Sequence, residues 1–466
     1  MEAEALSRRS TNGGWRGVAL IILLSALALL AVLLSARRAL KVDPSPDGAV
    51  VYYNARVALR GQNPYDGQNE TDDWKAGGGP AKFLPGHDNL PFCAYPPSFM
   101  LLIAPVAALP WQTGIRAVVW LNYLAGFGCL FFLLKLANRR WSPAAILLLV
   151  VFFFANRHIR SEIYVNQTTL LICLPMLAGI YAFTRKRDLL AGALIGLSLA
   201  KFTLTLPVLA LLVYRREWRA ASAALITFVV LNAGMAMTWG GLRQLPADYR
   251  SAVSKSTLPG AANDVSTLKY TDMISANHLV FALFGEERRS PAGKAALVLV
   301  AACGLLALCA LRPRPGQERA FENPLDISIA MLASLSLFYH RSYDLAALPI
   351  VLWGLMDYRF RRKGPMPAAW KIAVGAVVVL GFCVSRDGSL SPFDSNGVGR
   401  AHGLISLVLT ILDGVARHTI GAHNFNSVPM LVLLLSVIWL QLTTRPKRDV
   451  PEVEPPAVPA GAAQAT

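Results

Sequence analysis

The sequence predicts an all-α, polytopic transmembrane helical bundle of about 12 spans with extracytoplasmic loops. Charged residues make up only 16% of the chain and apolar residues 54%, whereas a soluble domain carries about 25% charged residues. The apolar residues also fall into blocks, several of which approach the roughly 20 residues that cross a bilayer. These blocks are 17–35, 114–135, 145–155, 220–239, 295–311, 373–384 and 428–442.

Positive charge is the second observation, because Arg and Lys cluster at the ends of the apolar blocks. The net charge is +17, which in a soluble protein would suggest a nucleic-acid partner. Here the clusters match cytoplasmic loops, so no nucleic acid is expected. They lie at 8–16, 139–140, 185–187, 215–219, 312–319, 359–363 and 445–448. Both chain ends are therefore predicted in the cytoplasm, in a multi-pass protein of the cell (inner) membrane.

Charge and length divide the chain into three predicted parts. Residues 1–16 are a cytoplasmic N-terminus, 17–445 a transmembrane domain, and 446–466 a disordered cytoplasmic tail rich in Pro and Ala. The first apolar run is long for a signal peptide and no small-residue cleavage site follows it, so we expect a retained span. This span leads into a long external loop, about 36–96.

Two segments, 188–214 and 325–358, carry cations at both ends and are too long for one span but short for two. Both are predicted to be hairpins of short helices whose apices face outward. Interrupted membrane helices tend to line cavities, because their free backbone groups need protein or water partners. For the stretches 97–110 and 403–416, crossing, re-entrant and interfacial placements all stay open. A re-entrant or interfacial helix is preferred for the first, because a full crossing would move the next cationic cluster outside.

Common motifs for nucleotide, hydrolase or metal chemistry are missing from the sequence. The chain has no P-loop, no GxSxG and no HExxH. Its six cysteines are scattered without a CxxC pair, and carboxylate pairs at metal-ligand spacing are missing from the external apices. We therefore expect no cofactor, no metal site and no disulfide framework.

Ionisable residues beside apolar segments are costly, which makes them candidates for function. On the predicted topology most of them face away from the cytoplasm and its nucleotides, so a substrate must arrive through the membrane, as a lipid-linked phosphate does. Lys201, His340 and Arg341 are predicted to bind that phosphate. A carboxylate on the first external loop is predicted to take a proton from an acceptor hydroxyl. The combination fits glycosyl transfer from a polyprenyl-phosphate sugar donor to a lipid or glycan acceptor.

Several short runs also occur in the order in which a known family has them. They are VYYNARVALRGQNPYD (51–66), YPP (95–97), VNQTTLLICL (165–174), GLSLAKFTLTLP (196–207), SANHL (275–279) and LFYHRSYDLAALP (337–349). Together, across residues of about 15–445, they resemble glycosyltransferase family 87 of the GT-C superfamily. The resemblance implies a GT-C-type bundle and an inverting hexosyltransferase that uses a polyprenyl-phosphate sugar. Mannose is the sugar that the family favours.

The resemblance also implies roles for individual residues. The family usually has an aspartate four residues before the first tyrosine of the YY pair, where this chain has Gly48. Asp47, one residue earlier, is the expected catalytic base, and Asp43 is the runner-up. Three further residues within or beside these runs are expected to line the site: Tyr53, Gln167 and Asp344.

Each assignment has a structural alternative. Asp47 lies in SPDG, a favourable turn sequence, and Lys201 suits a lysine that reaches water from a helix end. Asp344 suits a buried ion pair with Arg341 or Lys201. For the whole protein, the first alternative is a transporter or flippase for a lipid-linked or anionic solute, which predicts inverted repeats that the sequence does not show. The second is an inactive scaffold or a sugar-polymer ligase.

Overall fold

The computed structural model describes most of the chain, and within the described ranges the protein is helical apart from one short antiparallel strand pair. The expected all-α class is therefore confirmed. Asp43, the stretch 403–416 and both predicted terminal segments lie outside the described residues. The described ranges are 18–34, 36–37, 46–79, 95–137, 141–258, 273–284, 289–313, 319–338, 340–362, 364–383 and 427–443.

The first half of the described chain contains an apolar helix, two helices of the predicted external loop, and a series of packed apolar helices. In order these are α1 (Val18–Leu34), α2 (Pro46–Leu59), α3 (Gly67–Ala76), α4 (Pro97–Ala107), α5 (Trp111–Leu136), α6 (Pro143–Ala155), α7 (Arg157–Tyr164), α8 (Thr169–Thr184), α9 (Asp188–Ser198), a 3₁₀ turn (Leu199–Lys201), α10 (Phe202–Tyr214) and α11 (Trp218–Met237).

The second half contains the strand pair, the second predicted hairpin and the last apolar helices. In order these are α12 (Leu245–Ser256), β1 (Met273–Ile274), α13 (Ala276–Phe284), α14 (Arg289–Ala310), α15 (Pro324–Leu337), β2 (His340–Arg341), a 3₁₀ turn (Ser342–Ala347), α16 (Leu348–Arg361), α17 (Ala368–Val378), a π turn (Val379–Cys383) and α18 (Ser427–Thr443).

Four described helical stretches are long and apolar enough to cross a membrane, and a fifth is added if the bent pair α6 and α7 is one span. Six further apolar helices in the described ranges have 10–17 residues. The apolar helices agree with a membrane protein, whereas the count of about 12 spans stays a prediction. The four long stretches are 111–136, 188–214, 218–237 and 291–310.

The stretch 188–214 counts as a single span by length, yet its contacts show that it doubles back. A straight helix of 27 residues would hold its ends about 40 Å apart. Instead, Arg319 Nη2 lies 2.6 Å from Asp188 Oδ1, at the start of the stretch, and 3.4 Å from Glu217 Oε2, just beyond its end. Both ends of the stretch therefore lie beside Arg319. The chain reverses at the 3₁₀ turn, and α9 and α10 form the predicted hairpin.

Residues 324–361 form a second hairpin. Ser328 Oγ donates to the Val351 carbonyl over 3.3 Å, and Gly354 packs so closely that a Cβ there would lie 2.8 Å from the Pro324 carbonyl oxygen. The start of α15 therefore lies beside the second half of α16, as the predicted hairpin requires. The turn between them carries β2 and the second 3₁₀ turn.

Helix α4 is too short to cross the membrane. Its 11 residues span about 16 Å, roughly half of the hydrocarbon core. Ser98 N donates to Asn232 Oδ1 over 3.0 Å, and Tyr52 Oη donates to the Leu109 carbonyl that follows the helix. These contacts place α4 between α2 and α11, in agreement with the preferred re-entrant or interfacial helix.

Helices α2 and α3 pack on the N-terminus of α5 through aromatic rings. Tyr53 stacks between Trp74 and Trp111, with ring centroids 4.8 and 5.2 Å away and interplanar angles of 26°. Asp73 is buried against two arginines of the α2 region, with Arg56 Nε 3.3 Å from its carboxylate and Arg60 also in contact. This packing holds the start of α2, which carries Asp47, against the bundle.

Candidate functional site

Three ionisable side chains meet where the two hairpins turn. Lys201, at the 3₁₀ turn between α9 and α10, forms an ion pair with Asp344 Oδ1. His340 Nδ1 lies 2.9 Å from Asp344 Oδ2. All three side chains are buried. Asp344 joins the two hairpins at this end of the bundle, as in the structural alternative of a buried ion pair, and lining of the site by Asp344 stays a prediction.

Local backbone structure explains why these residues reach one point. The 3₁₀ turn at 199–201 breaks the helical path at Lys201. In the second hairpin, the Arg341 backbone N–H donates to Asp344 Oδ2 over 3.4 Å. Strand β1 pairs with β2 in the register Met273 to Arg341 and Ile274 to His340. The residues just before α13 are therefore held beside His340. Helix α13 begins within the SANHL run.

Hydrogen bonds fix the orientation of the His340 ring. Its Nδ1 faces the Asp344 carboxylate, and its Nε2 lies 3.2 Å from Ser334 Oγ. The Ser334 hydroxyl donates its own proton to the Thr203 carbonyl over 2.7 Å. The ring therefore connects Asp344 to α15 and, through Ser334, to the start of α10.

The turn between α7 and α8 closes the cluster from the opposite side. Thr169 Oγ1 donates to Asp344 Oδ1 over 2.7 Å and receives a hydrogen bond from Lys201 Nζ over 3.0 Å. Glu162 Oε1 accepts from the Thr169 backbone N–H. The Glu162 side chain is fully buried, so the cluster contains a second carboxyl group. Glu162, Thr169 and Ser334 were not assigned roles from the sequence.

Asp47 lies in the first turn of α2 and is partly exposed. The neighbouring Gly48 is pressed against the α7–α8 turn, and a Cβ there would come 2.6 Å from Asn166 Cβ. An aspartate at position 48 would therefore displace Asn166. Asn166 and Thr169 are three residues apart, so their Cα atoms are within about 11 Å. Asp47 therefore lies at the same end of the bundle as Lys201.

Gln167 connects the site to the predicted external loop. Its side-chain Oε1 accepts from Tyr95 Oη over 3.2 Å, and its backbone carbonyl accepts from Asn122 Nδ2 over 2.8 Å. Tyr95 stacks on Phe99, and its carbonyl accepts from Tyr65 Oη over 2.9 Å. The YPP run, the segment that carries Tyr65 and the α7–α8 turn are thus held in contact.

The remaining predicted residues differ in exposure. Arg341 is partly exposed. Lys201 and His340, the other two predicted phosphate-binding residues, are buried. The Tyr53 ring is fully buried, and burial together with Tyr52 raises the pKa of its hydroxyl to about 12. Its contacts are packing contacts, so lining of the site by Tyr53 stays a prediction. In the described ranges, His, Cys, Asp and Glu do not gather in a group of three able to hold a metal.

Comparison with known proteins adds a family and a relative. A model of glycosyltransferase family 87 matches residues 92–337, more than half of the chain. The matched region contains Gln167 and Lys201 but not Asp47 or His340.

An alpha-(1->3)-arabinofuranosyltransferase of Mycobacterium tuberculosis, found in two strains, is 29% identical over 145 residues. The match covers 30% of this chain and 34% of the relative, so the chain spans about a third of the length of the curated relatives it matches. No solved structure gives a significant match.

Proposed function

Because this chain belongs to glycosyltransferase family 87, we propose that it moves a sugar from a polyprenyl-phosphate donor to a lipid or glycan acceptor. The observation that carries the proposal is the gathering of Lys201, His340 and Asp344 beside the turn that contacts the Asp47 helix. The opposite end of the hairpins holds Arg319 with Asp188 and Glu217. Since cationic ends face the cytoplasm, the proposed site opens on the other side, in a multi-pass protein of the inner membrane.

The proposed reaction is one inverting displacement. The Asp47 carboxylate accepts the proton of the acceptor hydroxyl, and the oxygen forms a bond to the anomeric carbon. The bond from that carbon to the phosphate oxygen breaks at the same time, and its electron pair leaves with the polyprenyl phosphate. No covalent enzyme intermediate and no nucleotide are required.

Leaving-group stabilisation is the larger part of the proposed catalysis, because negative charge develops on the phosphate as the bond breaks. Arg341 is proposed to contact the phosphate directly. Its partly exposed side chain supports this, and guanidinium binds phosphate through two parallel hydrogen bonds. Lys201 and His340 are proposed to act from the buried cluster. Lys201 supplies positive charge, and both residues hold the Arg341 segment through Asp344.

The identity of the sugar has two candidates. Mannose is the sugar that the family resemblance favours. The name of the Mycobacterium tuberculosis relative indicates arabinofuranose and is a specific reason to test that pentose as well. We propose the mannosyl donor first and the arabinofuranosyl donor second.

The test is a transfer assay with purified protein in lipid. Radiolabelled polyprenyl-phosphate mannose and polyprenyl-phosphate arabinofuranose are supplied with extracted membrane lipids, and labelled product is measured. Wild-type protein is expected to transfer one of the two sugars. Asp47→Asn is expected to lower the rate by about 10²–10⁴-fold, the usual contribution of a general base.

Two control variants make the assay decisive. Asp72→Asn removes an exposed carboxylate of α3 and should leave the rate unchanged, whereas Asp43→Asn tests the runner-up base. Full activity of Asp47→Asn would overturn the proposed base. No transfer from either lipid-linked sugar would overturn the proposed function and favour transport of a lipid-linked or anionic solute.

A further inference from the structure

The α7–α8 turn contains an unusual concentration of buried polar groups. Glu162, Asn166, Gln167, Thr168 and Thr169 are each at most 3% exposed. Asn166 also adopts a left-handed backbone conformation with φ of 56°, which is uncommon for a residue with a side chain and carries strain. The α7–α8 turn, defined here as residues 165–168 with the flanking Glu162 and Thr169, lies at the end of a bundle, where such groups normally contact water.

Three oxygen atoms of this turn are buried without a hydrogen-bond partner among the described residues. They are Glu162 Oε2, Asn166 Oδ1 and Thr168 Oγ1. Leaving a buried oxygen without a partner is energetically unfavourable, and buried polar groups in proteins are nearly always paired. Three such atoms in one turn therefore indicate that this turn receives hydrogen bonds from something other than the folded chain.

The turn also has a defined position between the two proposed halves of the reaction. At one end, Asn166 contacts Gly48, next to the proposed base. At the other end, Thr169 donates to Asp344 and accepts from Lys201, in the proposed phosphate cluster. Whatever lies between an acceptor hydroxyl at Asp47 and a phosphate at Arg341 must pass along this turn. In the proposed reaction that group is the sugar.

We propose that the α7–α8 turn is the subsite for the ring hydroxyls of the transferred sugar, with Glu162, Asn166 and Thr168 as hydrogen-bond acceptors. This inference rests on the proposed function. Carboxyl, amide and hydroxyl oxygens can all accept a hydrogen bond, so these three atoms suit hydroxyl donors. A prenyl chain would leave all three oxygens unpaired. A sugar satisfies the three oxygens together.

The test separates sugar recognition from lipid-phosphate recognition. Two ligands are titrated into protein carrying Asp47→Asn, which prevents turnover. The first is the polyprenyl-phosphate sugar that the wild type uses, and polyprenyl-phosphate mannose replaces it if the wild type uses neither sugar. The second is polyprenyl phosphate without sugar. Thr168→Val and Glu162→Gln are introduced into this background. Each is expected to weaken binding of the glycosylated lipid about 10-fold, the value of one hydrogen bond. Binding of the lipid without sugar should not change.

Thermal stability supplies a second readout and a control. Thr168→Val removes a buried unpaired hydroxyl, so the ligand-free melting temperature should stay the same or rise. Trp353→Phe removes another buried unpaired polar atom from α16 and should not alter binding of either lipid. Unchanged affinity of Thr168→Val for the glycosylated lipid, with a lower melting temperature, would overturn the subsite and indicate a structural role through buried water.

The two sets of measurements distinguish failure of the sugar subsite from failure of the proposed function. If wild-type protein transfers sugar but both variants bind the donor normally, the subsite fails while the function stands. The opposite result has three parts: wild-type protein binds the glycosylated lipid more tightly than the bare lipid phosphate, the variants remove that preference, and no transfer occurs. In that case the function fails while the subsite stands.

Discussion

Two buried ion pairs join the same two hairpins at opposite ends of α10. At one end Lys201 pairs with Asp344, and at the other Arg215 Nη2 lies 3.5 Å from Asp326 Oδ2. Both carboxylates are almost completely buried. Because each pair connects the first hairpin to the second, each is expected to stabilise the bundle. By burial alone the two pairs cannot be distinguished.

Their surroundings differ. Asp326 also accepts from Gln441 Nε2 over 3.0 Å, and Gln441 in turn accepts from Asn323 Nδ2 over 2.9 Å. These neighbours tie α18 to the start of α15. Asp344 is surrounded instead by His340, Thr169 and the Arg341 backbone. Buried atoms without a partner occur at both ends, on Arg215 as well as on the α7–α8 turn. The comparison teaches that burial and unpaired atoms do not by themselves separate a site from a structural pair, whereas the network around the carboxylate differs between the two.

The largest expected effect follows from removing the cation of the Asp344 pair. Lys201→Met leaves a buried carboxylate without its lysine, which costs about 3–5 kcal/mol of folding free energy. It also removes positive charge from the proposed phosphate site, and turnover per folded molecule should fall by at least about 10²-fold. Melting temperature and transfer rate measure the two effects. Normal turnover in the folded fraction would show that the pair is only structural.

Arg215→Met is the matched change at the other end. It leaves Asp326 buried without its arginine, so the melting temperature should fall about as much as in Lys201→Met. Turnover per folded molecule should stay at the wild-type value, because no proposed substrate contact lies near Asp326. A selective loss of turnover in Arg215→Met would remove the functional distinction between the two pairs.

A double substitution separates charge balance from catalysis. Lys201→Met with Asp344→Asn removes both members of the pair, so no lone charge remains buried and stability should recover part of the loss. Activity should not recover, since the arrangement of His340 and Arg341 depends on Asp344. Recovery of transfer in parallel with the melting temperature would contradict the proposed role of the cluster.

Glu70 in α3 is a buried carboxyl without a cation. Burial raises the pKa of Glu70 to about 8 from its ordinary value of 4.5, although Asn54 donates to it and opposes the shift. The folded protein therefore keeps a proton that the unfolded chain releases between these two values. Stability from this group is greatest below about pH 4.5 and falls as the pH rises through 8. Glu70→Gln should reduce the loss of melting temperature between pH 6 and pH 9.

Much of the architecture could be predicted from the sequence. Cations at both ends of 188–214 and 325–358 indicated two hairpins, and the contacts of Arg319 and Gly354 agree with that reading. The charges at the hairpin apices offered Arg341 or Lys201 as the partner of a buried Asp344, and the structure pairs it with Lys201. Both conclusions depend on short-range patterns, namely apolar length and flanking charge, which remain visible in one sequence.

Contacts between distant segments could not be predicted in the same way. The pairing of β1 with β2 involves two residues per strand, too few for a periodic pattern. Glu162 is one polar residue among several in an amphipathic turn, and nothing in its neighbours shows that it is buried beside Thr169. Asp47 lies in the first turn of α2, although SPDG also suits a turn, and the next residue, Gly48, packs on the distant Asn166.

A structure of the Asp47→Asn protein bound to its polyprenyl-phosphate sugar tests the central claim most directly. The account predicts phosphate density beside Arg341, next to the Lys201–His340–Asp344 cluster, and the sugar ring along the α7–α8 turn toward position 47. Donor density beside Arg215 and Asp326, or a phosphate more than about 6 Å from every cation of the cluster, beyond hydrogen-bond or close ion-pair reach, would contradict it.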